Sequence, residues 1–251
     1  MKIQLIRNAT MKITLAGKTV LTDPMLVPRH GLESFAGKEK NPVVDLPLPV
    51  EETLKGVDMV LISHVHPDHF DDMARQLLPK DIPVLCPPGY AAEIQKEGFS
   101  NITSVHDTIE WEGIRIRLTP GRHAGSEKWR EILGPVAGFL LRTEKEPSLY
   151  WPGDTILYEA VEALIREEQP DIILPHGCGA MLQDSGPIVM DAGMVVEICR
   201  IAPAAKVAAI HMDALDHATV SREDLKRATS RAGISETQLI MPEDGDILRL
   251  D

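Results

Sequence analysis

The sequence predicts a layered α/β fold in a single domain spanning residues 1–251. Two observations point there. Alternating runs of strand length open each half of the chain, with helical patterns covering the rest, which implies layers rather than a simple parallel βαβ series. No linker, short-period repeat or low-complexity tract divides the chain.

The elements follow in order. Ile3-Gln4-Leu5-Ile6 and Met11-Lys12-Ile13-Thr14-Leu15 alternate as strands, and Gly17-Lys18 turns the chain into a third at 19–21. Proline-rich residues 27–50 read as a long surface loop. Val57-Asp58-Met59-Val60-Leu61-Ile62 is an apolar run suited to a buried strand. A helix is expected from near Pro67, with Phe70, Met73, Ala74, Leu77 and Leu78 on one face. A strand at 83–86 and a helix near 89–97, ended by Gly98, come next. Residues 102–118 read as a meander with turns at Asp107 and Gly113, and Gly-rich, charged 121–135 reads as a loop. Strands are expected at 136–142 and 148–151, a helix near 156–168, a strand at 172–174, a helix near 190–201 and a strand at 207–210. Ser221 and Asp224 form a capping pair for a helix closing at Gly233, before strands at 238–241 and 247–250.

Bulk composition narrows the function. Hydrophobic residues make up 43% and charged residues 25%, an ordinary globular balance with ample core. The formal net charge of −12, without a basic run, argues against long nucleic acid. Three widely spaced cysteines suggest neither a disulfide framework nor a zinc ribbon. The N-terminus lacks a signal-peptide core, and no apolar stretch approaches the roughly 20 residues that span a bilayer. A cytoplasmic protein without membrane contact is therefore expected.

The chemistry is concentrated in Ser63-His64-Val65-His66-Pro67-Asp68-His69-Phe70. Alternate residues of an extended chain point the same way, so His64 and His66 can face one metal ion. Pro67 favours a turn that swings Asp68 and His69 towards a second ion. Imidazole and carboxylate suit zinc, manganese and iron, and paired ions about 3.5–4 Å apart serve hydrolysis. Burying four such titratable groups without a partner would be costly. No G-x-S-x-G, H-E-x-x-H or P-loop motif competes.

This H-x-H-x-D-H run after an apolar strand resembles the signature of the metallo-β-lactamase superfamily. The resemblance continues through His123 in Thr119-Pro120-Gly121-Arg122-His123, Asp154 in Tyr150-Trp151-Pro152-Gly153-Asp154-Thr155, and His211 in Val207-Ala208-Ala209-Ile210-His211, and so covers the whole chain. It implies a four-layer αββα sandwich of two mixed sheets, with metals at one edge. It further implies that His64, His66 and His123 hold one ion, that Asp68, His69 and His211 hold another, and that Asp154 lies between them. The cofactors would be two divalent ions per chain, zinc first, with manganese or iron as alternatives. Asp68 would also handle the leaving group's proton. The opening strands, Leu21-Thr22-Asp23-Pro24 and His211-Met212-Asp213-Ala214-Leu215-Asp216-His217 resemble the ascorbate-6-phosphate lactonase-like branch. Where that branch often carries Gly-His-Ala after its first strand, this chain has Arg7-Asn8-Ala9.

Several residues keep two readings. His217 rivals His211 as ligand, or contacts substrate. His176, after a predicted strand on the same edge, is a site residue or a plain loop histidine. Asp23 either orients a metal-bound histidine or simply forms a turn before Pro24. Asn8 is a hydrogen-bonding candidate. Cys178 is a soft ligand or a small buried residue, and Trp129 a lid over substrate or loop packing. His30 and His106 are taken as surface residues. The expected activity is hydrolysis of a small ester, lactone, amide or phosphoester. The alternatives are a phosphodiesterase acting on a nucleotide and a non-hydrolytic metal-binding protein. A small-molecule substrate is the expected partner, and homo-oligomer formation is left open.

Overall fold

In a computed structural model that describes residues 1–250, fourteen strands form two seven-stranded sheets. In chain order they are β1 (Lys2–Arg7), β2 (Thr10–Leu15), β3 (Lys18–Thr22), β4 (Met59–Leu61), β5 (Val84–Cys86), β6 (Ile102–Ser104), β7 (Thr108–Trp111), β8 (Ile114–Pro120), β9 (Ala137–Arg142), β10 (Leu149–Trp151), β11 (Ile172–Ile173), β12 (Lys206–Ala208), β13 (Leu239–Ile240) and β14 (Ile247–Arg249). The first sheet runs β14-β1-β2-β3-β4-β5-β6 and the second β13-β12-β11-β10-β9-β8-β7. Both are mixed. β1 to β3 pair antiparallel while β3 to β6 pair parallel, and β7 to β10 pair antiparallel while β10 to β13 pair parallel.

Strand periodicity assigns the layers. Met59 and Leu61 point into a core shared by both sheets, which also takes in Ile13, Ile116, Phe139, Leu149 and Trp151. The intervening Val60, with Ile62, faces outward onto Phe70, Ala74, Leu78 and Ile94. Across the molecule, Leu140, Tyr150 and Ile173 face outward onto Val161, Leu164, Val195, Ile198 and Leu225. Those outer partners come from helices and their ends: α2 (Asp72–Leu77), flanked by Phe70 and Leu78, and α3 (Ala91–Lys96), after the short α1 (Val50–Leu54), and further along α5 (Glu159–Glu168), α6 (Ala192–Ile201) and α7 (Arg222–Arg231), which follow α4 (Glu127–Leu133). Apolar area is thus removed from water on both faces of each sheet, at about 1.5–3 kcal/mol for each fully buried Leu, Ile, Val or Phe. The result is the expected αββα sandwich. Ser221 and Asp224 make the expected capping box at α7, the Ser221 hydroxyl accepting from Asp224 N.

Two expectations are corrected. The helix expected from Pro67 begins at Asp72, because His69 N and Phe70 N both donate to His66 O in a tight turn and Asp71 supplies the N-cap, accepting from Ala74 N at 2.7 Å. Only one of its expected apolar face residues breaks ranks: Leu77 is half exposed. Residues 121–135 are not all loop, since α4 lies within them, capped by Ser126, whose side chain accepts from Trp129 N.

Candidate metal centre

The loops leaving β4, β8, β10, β11 and β12 carry histidines and aspartates to one edge of the sandwich. His64, His66, Asp68 and His69 follow β4, His123 follows β8 and Asp154 follows β10. Gly153 turns the chain toward Asp154 with φ +66°, and a Cβ there would sit 2.6 Å from Ala137 O, so only glycine fits. His211 (φ 62°) and Asn8 (φ 60°) are also left-handed, and His211 N donates to Asn8 O at 3.1 Å. A histidine held in that region costs on the order of 1 kcal/mol, the kind of strain that clusters at functional sites.

Ring tautomers follow from what each remote nitrogen touches. His66 Nε2 lies 2.8 Å from the carbonyl of Leu133 and His123 Nδ1 lies 2.7 Å from the carbonyl of Ile188. A carbonyl only accepts, so those nitrogens carry the protons and His66 Nδ1 and His123 Nε2 are bare. The Ser63 hydroxyl donates to Asp23 Oδ2 at 2.5 Å and therefore accepts from His64 Nδ1 at 2.9 Å, which leaves His64 Nε2 bare. His64 Nε2 and His66 Nδ1 then face each other at 2.9 Å, lone pair to lone pair. A metal ion or a shared proton between them relieves that arrangement.

A second set stands beside the first. His69 Nδ1 donates to Asp23 Oδ2 at 2.6 Å, turning its Nε2 toward Asp68 Oδ2 at 3.4 Å and His211 Nε2 at 3.3 Å. His211 Nε2 is 3.5 Å from Asp68 Oδ2, and its Nδ1 lies 3.3 Å from Cys178 Sγ. Three donors about 2.0–2.1 Å from a tetrahedral ion stand about 3.3–3.4 Å apart, which these separations match. Asp154 spans both sets. Its Oδ2 lies 3.3 Å from His69 Nε2, 3.5 Å from His123 Nε2 and 3.9 Å from His64 Nε2, and its Oδ1 lies 3.6 Å from His211 Nε2. The residues present fit divalent metal ions.

Electrostatics agree. Burial opposes charge on every one of these groups. For His64 it prevails, joined by the neighbouring rings of His69 and His66, and the pKa drops well below the usual imidazole value. Burial likewise pushes His123 down to about 4. For His211 burial is the largest single effect, but Asp154, Cys178 and Asp68 together outweigh it and lift the ring to about 10, and His69 likewise rises well above its ordinary value against Asp154, Asp68 and Asp23. Burial would raise Asp68 and Asp154, yet the facing histidines, His69 first, hold both well below the carboxylate range. Dense buried charge of this sort is characteristic of functional sites.

The remaining expected residues are placed as follows. Asp23 is buried, takes both the N–H and the hydroxyl of Ser63, and orients His69. Asn8 Nδ2 donates to the backbone carbonyl of Asp68 at 3.0 Å. His176 is buried inside the cluster with His69, Asp154 and His211, rather than standing as a loop histidine, and burial pushes it down to about 4. His217 stands back from these contacts, lines the adjoining cleft, and has a buried Nδ1 without a partner. Trp129 packs into the core with its indole N–H on Asp184, and it does not line that cleft. Leu133, at the end of the same helix, does.

The cleft has a volume of about 360 Å³. His66, Asp68, His123 and Asp154 form its floor; Phe35, Pro67, Leu133, Leu182 and Ile188 wall it, with His217 and Ser34 at one side. No lysine or arginine is among the residues lining it. Two supporting residues had escaped the sequence reading. Ser63 carried the signal of a small polar residue directly before the first histidine. Asp216, whose carboxylate gathers the 34–39 loop beneath Phe35, carried none.

Comparison with known proteins places this geometry. A family model described as the β-lactamase superfamily domain matches residues 18–212. The chain is 37% identical over 251 residues to the UPF0173 protein YddR of Bacillus subtilis, covering 98% of each. The crystal structure of isothiocyanate hydrolase from Delia radicum gut bacteria superposes with a TM-score of 0.93 at 31% identity, covering 100% of this chain and 99% of that one. A possible metal-dependent hydrolase from Veillonella parvula does so with a TM-score of 0.95 at 30% identity, with the same coverage.

Proposed function

This chain belongs to the β-lactamase superfamily, and from that premise we propose that it is a metal-dependent hydrolase of small, uncharged substrates that carry an apolar tail. One observation carries the reading. Two sets of histidine and aspartate side chains, joined by Asp154, lie at and just below the floor of a cleft whose walls are apolar and whose lining holds no lysine or arginine. The apolar walls, and a lining without a lysine or arginine to hold a phosphate, favour an ester, lactone, amide or isothiocyanate over a phosphoester. The isothiocyanate hydrolase at 31% identity supports the last of these, since an isothiocyanate is neutral and presents its carbon at the end of an organic tail.

His64, His66 and His123 would hold one divalent ion and Asp68, His69 and His211 another, with Asp154 between and zinc first among the metals. Ions bound there lower the pKa of water toward neutrality and polarise the substrate. The protein supplies the rest. Phe35, Leu133, Leu182 and Ile188 bind the tail and exclude water, which strengthens every electrostatic contact inside. The ring of His217 lines the side of the cleft and contacts the substrate there. Asp68, ionised at the floor, takes the proton that the attacking water gives up and passes it to the leaving atom.

The test is a panel of an aryl isothiocyanate, a γ-lactone, an aryl ester and bis(p-nitrophenyl) phosphate, run on zinc-loaded, chelated and reloaded protein. Turnover of a neutral substrate that vanishes with chelator and returns with zinc is expected. Preference for the phosphodiester, or no turnover by protein holding two ions per chain, would overturn the proposal.

A further inference from the structure

His176 sits among His69, Asp154 and His211 with ring nitrogens near enough to be read as a metal ligand. Its hydrogen bonds say otherwise. The indole N–H of Trp151 lies 2.9 Å from His176 Nε2. An indole nitrogen only donates, so His176 Nε2 must accept and carries no proton. A neutral imidazole then bears its proton on Nδ1, and that nitrogen is 2.5 Å from Asp154 Oδ1. Both lone-pair positions of the ring are accounted for, and neither is free for a cation.

We infer that Trp151 and His176 form a relay that aims the bridging carboxylate: Trp151 locks the ring as the Nδ1–H tautomer, and His176 donates to Asp154 Oδ1 so that Oδ2 faces both histidine sets. A carboxylate turns about χ2 in a broad, two-fold well, so its orientation must be imposed from outside. Here it is imposed from the interior of the sandwich. Trp151 and His176 are fully buried; Trp151 ends β10 and His176 follows β11, and these strands are neighbours, pairing through Leu149–Ile172 and Tyr150–Ile173. His176 is further fixed by a parallel bridge to Ile210, the residue before His211. His176 is therefore a positioning residue, and Trp151 positions it in turn. The inference rests on the metal-centre reading above, in which Asp154 lies between two ions.

Two measurements test it. Long-range ¹H–¹⁵N spectra of histidine-labelled, metal-free protein, with His176 assigned by its absence in His176→Asn, should show protonated Nδ1 and bare Nε2, and the same tautomer after zinc is added. A proton on Nε2, or loss of the Nδ1 proton on zinc binding, overturns the relay. This readout is independent of any hydrolase activity, so it stands even if the proposed reaction fails. Competition against a chromophoric chelator then measures zinc affinity. His176→Leu should weaken it about 10–100-fold, the range for losing an outer partner of a ligand. His176→Asn, whose amide N–H takes the place of Nδ1–H, should recover most of that loss. Trp151→Phe should weaken zinc binding in the same direction although it touches no ligand, and should add little in the His176→Leu background. Equal affinities for His176→Leu and His176→Asn, whether both normal or both impaired, would overturn the assignment.

Discussion

Asp216→Asn removes the anchor of one wall of the cleft. The Asp216 carboxylate is nearly buried, at 8% exposure. Oδ1 accepts from Phe35 N at 3.0 Å and from Asn41 Nδ2 at 2.9 Å, and Oδ2 from Ser34 Oγ, from Lys38 N at 3.2 Å and from Glu39 N at 3.4 Å, while Ala36 N reaches both oxygens. Burial raises the carboxyl, but Ser34, Asn41 and the backbone donors outweigh it and hold the group far below the usual range. An amide cannot accept on its nitrogen side, so at least two donors lose their partner whichever way it is turned. Each orphaned donor costs about 1–3 kcal/mol when buried, and residues 34–39 are only partly so, which brings the sum to about 2–4 kcal/mol. In a chain of this length that corresponds to a Tm lower by about 4–16 °C if the loss is global. The loop is pinned at its base by the Leu32–Asn41 bridge, so it can also open alone, and then trypsin cuts faster after Lys38 and Lys40 at unchanged Tm. Either way Phe35, which meets the ring of His217 edge-on with centroids 5.2 Å apart, loses its seat in the cleft wall. KM should rise more than kcat falls. Calorimetry, limited trypsin digestion and steady-state kinetics make the assay; an unchanged Tm with unchanged cleavage at Lys38 and Lys40 would refute the anchoring role.

Two further outcomes are expected. Asp23→Asn loosens His69 and Ser63 together and should lower zinc affinity about 10–100-fold in chelator competition, with unaltered affinity counting against Asp23 as an orienting group. Chelated protein should be most stable near pH 6.5. Burial lowers His123 and His176 to about 4, so between 6.5 and 4 the unfolded chain binds the extra protons and stability falls with pH, by about 1.4 kcal/mol per pH unit for each group. His211, whose burial is outweighed by Asp154, Cys178 and Asp68 together so that it rises to about 10, has the opposite sign: its contribution is complete below 6.5 and is lost as pH rises toward 10. Urea midpoints that stay flat from pH 4.5 to 6.5 would contradict the burial argument.

The sequence by itself determined the donors and the layers. Three histidines and an aspartate within six residues are a chemical signal that needs no fold, and the alternation that opens β1 and runs along β2 marks which side chains enter a core. Helix limits were legible where a local cap decides them, as at Ser221. They were missed where a tight turn on His66 O competed with Pro67 for the helix start, and where the short α4 lay inside a charged, glycine-rich run. Tertiary structure alone decided the roles of the remaining polar residues. Local pattern cannot separate His176 from His217: both are histidines beyond strands. They part because β10 lies beside β11 and lays an indole N–H against one ring, while the other ring is left at the cleft wall with a free nitrogen. Asp216 acts on residues some 180 positions away, from Ser34 onward. Such contacts depend on which loops the two sheets bring to a common edge, and local residue order does not encode that distance.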